Sequence, residues 1–112
     1  MHAQQMNEPD SPCAGVVVTS DLVACLSKAQ NSSESEMKSV YAAVRKNLTG
    51  KEAQRLASTQ ELWTQYREAN CSAERSLYGD GTGSNPAYFA CMEAIARERT
   101  KELRVTYAVR LK

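Results

Sequence analysis

Apolar or small residues recur at Leu22, Leu26, Ala29, Ser33, Met37, Val40, Val44 and Leu48. Every step is three or four residues, the spacing of one face of an α-helix. Thr19-Ser20-Asp21 supplies N-cap residues just ahead of this stripe. The middle of it, NSSESE at 31–36, is a poor helix former. The pattern predicts one long helix, with a break near 31–33 as the alternative. Asn47-Leu48-Thr49-Gly50 ends it: Gly50 suits a helix C-terminus and Thr49 suits a cap for the next helix.

A second helix is predicted over about 51–78. Its apolar face reads Ala53, Leu56, Ala57, Trp63, Tyr66, Ala69, Ala73 and Leu77. Gly79-Asp80-Gly81-Thr82-Gly83-Ser84 is the clearest loop in the chain. Asn85-Pro86 then opens a third helix as a cap followed by proline at the first helical position. That helix is expected to end near 108, with Tyr88, Cys91, Met92, Ile95, Leu103 and Tyr107 facing inward. Pro9, Asp10, Ser11, Pro12 and Gly15 keep the first residues out of helix, and Val16–Val18 is expected to lie extended against the core. The organisation is an arm over 1–19 and a helical domain over 20–112. The fold class is all-α, an antiparallel three-helix bundle with long helices.

A chain of 112 residues allows one domain with a modest core. Net charge is +1 with the signs well mixed, so neither a nucleic-acid surface nor a polybasic membrane anchor is indicated. No apolar run approaches the ~20 residues that span a bilayer. The opening MHAQQMNEPDSPC is polar and lacks a secretory leader. If the protein is exported, its leader is expected to have been removed from this chain, and His2-Ala3-Gln4-Gln5 suits a mature N-terminus.

The 4 cysteines change the picture most. An even number in a small domain points to disulfides and an oxidising compartment. Cys71 near the end of helix two and Cys91 near the start of helix three stand level in a helical hairpin. Cys13 in the arm and Cys25 in the first helix are natural partners. Three pairings are formally open, and the expected one is Cys71–Cys91 with Cys13–Cys25, two staples on the bundle. A metal site wants close cysteine pairs or histidines, and the only histidine is His2 in the arm. A catalytic thiol wants a nearby base. No metal and no cofactor are expected.

Trp63, Tyr66, Arg67 and Cys71 make a WxxYRxxxC pattern. A Gly/Ser loop, Cys91 and RERTxxL (Arg97 to Leu103) follow it, while Cys25 and MKSVYAAV at 37–44 precede it. In order and spacing these resemble the LprI-like family over about residues 20 to 105. The resemblance implies a small secreted or periplasmic bacterial helical domain without known catalysis, commonly described as a lysozyme inhibitor. One departure from the family pattern is the unusually polar NSSESE stretch of helix one.

The loop GDGTGSNPAY at 79–88 is the leading candidate for partner binding, through Gly81, Thr82, Gly83, Ser84, Asn85 and Tyr88. Its polar donors suit the two carboxylates of a glycosidase cleft; a plain connector is the simpler reading. It lacks the lysine of a phosphate loop. Trp63 and Tyr66 are expected in the core, although an exposed aromatic face is the other reading. Arg67 is expected to pair with Glu98 across the hairpin as a structural ion pair. RERTKELR at 97–104 reads as a solvated face, within which Glu98 and Glu102 repel. The scattered glutamates single out no catalytic pair, so no enzyme is expected.

The expected function is an exported protein-binding domain that blocks a lysozyme or other peptidoglycan hydrolase with the loop between helices two and three. The alternatives are a periplasmic immunity protein against a secreted toxin and a non-catalytic envelope accessory subunit, the latter a homodimer through helix one.

Overall fold

The computed structural model describes residues 5–112; His2 and the expected mature N-terminus lie outside them. Three helices dominate: α1 (Thr19–Lys46), α2 (Gly50–Ser76) and α3 (Ser84–Thr106). Short 3-10 turns occur at Gln5–Asn7 and Ala108–Arg110. The bundle is a rod of about 47 × 24 × 23 Å.

α1 runs unbroken through NSSESE. Asp21 in its first turn and Arg45 and Lys46 in its last complement the helix dipole. Gly50, at φ +51°, opens α2 in a conformation that favours glycine. Thr49 holds the N-cap position of α2 but makes no side-chain cap bond. α3 starts two residues earlier than expected, at Ser84 with Gly83 as its N-cap. Asn85 is therefore inside the first turn and does not cap the helix.

α3 is the central element. Its buried residues, among them Ala87, Ala90, Cys91, Ala94, Ala96, Thr100 and Leu103, lie on more than one face. The alanines let both α1 and α2 pack closely against it. The backbones of α1 and α2 barely approach each other. These two helices meet through long side chains instead, as where Gln60 Nε2 reaches Met37 Sδ at 3.1 Å.

Two apolar clusters result. One joins Met37, Val40, Val44, Leu48, Leu56 and Leu103, with Trp63 and Tyr107 packed on it. The other joins Cys13, Leu26 and Ala90, with Met6, Val16 and Phe89 beside it. Cys13–Cys25 ties the arm to α1, and Cys71–Cys91 ties α2 to α3. The chain-entropy model assigns the second staple roughly 3 kcal/mol.

A polar layer separates the two clusters, and NSSESE supplies part of it. Ser33 Oγ donates to the buried Glu93 at 2.7 Å, and Arg97 Nε reaches the same carboxylate at 3.1 Å. Glu34 accepts from Gln30, at 3.2 Å, and from Arg67. The stretch stays helical because its polar atoms find partners on α2 and α3, which offsets its weak intrinsic propensity.

Several expected burials are corrected. The inward line of α2 is Leu56, Gln60, Trp63, Arg67, Cys71 and Glu74. Tyr66 is 57% exposed and Leu77 81% exposed, and Ala69 and Ala73 also face water. Three of the six inward residues are polar, so the apolar pattern pointed to the wrong phase over the second half of the helix. Trp63 is half-buried. Val16 alone of its run packs on the core; Val17 and Val18 are exposed.

Candidate functional site

The α2–α3 corner is built from the end of α2 upward. Gly79, at φ +55°, turns the chain out of α2. Tyr78 then folds back over the loop. A Cβ at Gly83 would meet the Tyr78 ring at 2.7 Å, and one at Gly81 would meet the Tyr78 carbonyl at 2.9 Å. These glycines are thus required by close approach to Tyr78. Tyr78 is not among the residues expected from the sequence; its signal there is an aromatic residue placed just before three closely spaced glycines.

The start of α3 is pinned to α2 by side chains. Arg75 Nη2 donates to Asn85 Oδ1 at 2.8 Å, and its guanidinium lies 4.9 Å from the Tyr88 ring centroid. The Tyr88 hydroxyl donates to Glu68 Oε2 at 2.7 Å, and Ser72 Oγ donates to Glu68 Oε1 at 3.1 Å. Burial, followed by the Glu68 carboxylate, raises the pKa of Tyr88. Cys71–Cys91 lies beneath this lattice. Asn85 and Tyr88, two of the residues expected to meet a partner, therefore hold the loop in place.

What faces outward is the tip. Gly79, Asp80, Gly81 and Thr82 are exposed, and Gly83 and Ser84 partly so. No side chain caps α3. In the first turn of α3 the Ser84 N–H already donates to the Gly81 carbonyl at 3.2 Å and Pro86 carries no N–H, which leaves the Asn85 N–H, at the positive end of the helix dipole, beside the hydroxyls of Thr82 and Ser84.

Glu74 and Tyr78 lie under the corner. Glu74 Oε2 and the Tyr78 hydroxyl are buried without hydrogen-bond partners among the described residues. Burial raises the pKa of Glu74.

The expected Arg67–Glu98 pair does not form. Arg67, 5% exposed, donates from Nη1 to Glu34 at 2.6 Å and stacks 5.4 Å from the Trp63 ring centroid. It also donates from Nε and Nη2 to the Met92 carbonyl, at 3.1 and 2.9 Å. The reason is its phase on α2: it points at the bundle axis, while Glu98 is exposed. Glu98 instead lines an open groove of about 540 Å³ between α2 and α3, with Trp63 and Tyr66 on the α2 wall. Glu102 in the same face pairs with Arg99.

Among the described residues there is no His/Cys/Asp/Glu group able to hold a metal, and no helix is long and apolar enough to cross a membrane. Neither a curated protein nor a solved structure matches the chain. A family model described as lysozyme inhibitor LprI matches residues 12–103, from the arm cysteine through the last buried leucine of α3. With most of its length covered, and with the helices and both disulfides in place, the chain belongs to the LprI lysozyme inhibitor family.

Proposed function

We propose that this protein binds a peptidoglycan hydrolase of the lysozyme class through the α2–α3 corner, with residues 79–84 entering or covering the cleft. The family is one of non-catalytic lysozyme inhibitors, which supports the partner class. Its usual setting is periplasmic or extracellular, and two disulfides fit that setting.

The observation that carries the proposal is the bracing of an exposed loop. Tyr78 seats Gly83, Arg75 holds Asn85, and Glu68 holds Tyr88. A loop fixed before binding loses little conformational entropy on docking. A glycosidase places two carboxylates across its bond. The hydroxyls of Thr82 and Ser84 and the Asn85 N–H offer hydrogen-bond donors to such groups, and the glycines let backbone approach them.

Net charge of +1 gives little long-range steering toward a basic enzyme. The contact proposed is therefore short-range, and its association rate should change little with salt.

Amide hydrogen exchange with and without a c-type lysozyme tests the assignment. Protection is expected at 79–85 in the complex. Protection elsewhere, with this loop unchanged, would move the interface off the corner.

A further inference from the structure

We infer that the groove between α2 and α3 is a self-association surface, filled by α3 of a second copy of this chain. This inference is independent of the corner site, which lies at the end of the rod.

Four groove residues carry it: Ala94, Glu98, Lys101 and Val105. Their spacing of four, three and four places them on one stripe of α3. Ala94 is 7% exposed and forms floor, whereas Val105 is 72% exposed, a large apolar side chain turned to water beside the groove. Glu98 and Lys101 are exposed, and neither makes an ion pair among the described residues.

Read in the opposite direction, the stripe complements itself. Two α3 helices packed antiparallel about a dyad between 99 and 100 set Val105 of each over Ala94 of the other. The same dyad sets each Glu98 against the other copy's Lys101. One register thus satisfies the apolar ends and the charged centre together. That is what a two-fold interface, using the same patch on both subunits, requires. Trp63 and Tyr66 wall the cavity that would receive the incoming Val105.

The arrangement leaves the corner loops free. Each lies roughly 25 Å from the dyad at 1.5 Å per residue, at opposite ends of the pair. The dimer would present two loops facing away from each other.

Sedimentation velocity on the intact, oxidised protein up to about 0.5 mM tests this. A concentration-dependent dimer is expected. Lys101→Glu puts like charges at both symmetric contacts and should weaken the dimer at least about tenfold. Adding Glu98→Lys to it restores opposite charges and should restore the dimer. Far-UV circular dichroism of both variants confirms that the bundle is intact. A wild-type monomer throughout would overturn the inference. So would a dimer indifferent to Lys101→Glu, or a loss that the double exchange fails to repair.

Discussion

Arg67 on α2 reaches Glu34 on α1 at 2.6 Å and the Met92 carbonyl on α3 at 2.9 Å, so one guanidinium joins all three helices. Truncating it removes the shortest donor to Glu34, which keeps Gln30 and Lys38, and both side-chain donors to the Met92 carbonyl. Arg67→Met keeps the aliphatic stem and removes the donors. It should cost about 3 kcal/mol, the low end for breaking a buried pair, since Glu34 keeps some contact with water. Urea unfolding of the variant measures this, and a loss below about 0.5 kcal/mol would make the layer dispensable.

The same contact sets an acid limit. Hydrogen bonding from Arg67 holds the Glu34 carboxyl below its ordinary value of 4.5, against the opposing effect of burial. A lowered folded-state pKa gives stability that is present above the unfolded value and lost as pH falls through the folded one. The melting temperature should therefore drop on acidification below about 4.5. Glu34→Gln should be less stable at neutral pH and should show a shallower drop in that range. Parallel slopes for the two proteins would place the acid sensitivity elsewhere.

Glu74 has the opposite sign. Burial raises its carboxyl above 4.5, so its charged form opposes folding once pH exceeds the unfolded value. Glu74→Gln keeps the shape and removes the charge. Its melting temperature should exceed that of the wild type at pH 7, and the difference should vanish at pH values where Glu74 is protonated. An unchanged or lower melting temperature at pH 7 would show that Glu74 has a stabilising partner.

Gly83 is the test of a preset loop. A methyl group there meets the Tyr78 ring at 2.7 Å, so Gly83→Ala must displace that ring. The helices do not depend on this contact. Binding to the hydrolase should fall while unfolding in urea changes by less than about 1 kcal/mol. Retained binding would mean that the loop conformation is not what the partner reads.

The stripe on α1 was legible from Met37 to Leu48 because its inward residues there are apolar at helical spacing, whereas the inward Gln30, Ser33 and Glu34 before it are polar. Cys71–Cys91 was legible from the level positions of its two cysteines, and Cys13–Cys25 from the nearness of the arm to the first helix. The phase of α2 beyond Trp63 was not. Its inward positions there are Arg67, Cys71 and Glu74, and apolar periodicity does not detect a buried guanidinium or carboxylate. The expected Arg67–Glu98 pair fails for the same reason, since the acceptors of Arg67 sit on α1 and on a backbone carbonyl of α3. The loop at 79–84 was legible as a loop. The Tyr78 fold-back and the ties of Asn85 and Tyr88 to α2 are tertiary contacts that local sequence does not encode.

The most direct test of the proposed function is peptidoglycan turnover by a c-type lysozyme with excess oxidised protein, wild type beside Ser84→Ala and Gly83→Ala. The account predicts inhibition by the wild type and weaker inhibition by both variants at unchanged helix content. Full turnover in the presence of wild-type protein, with no complex on a sizing column, would contradict it.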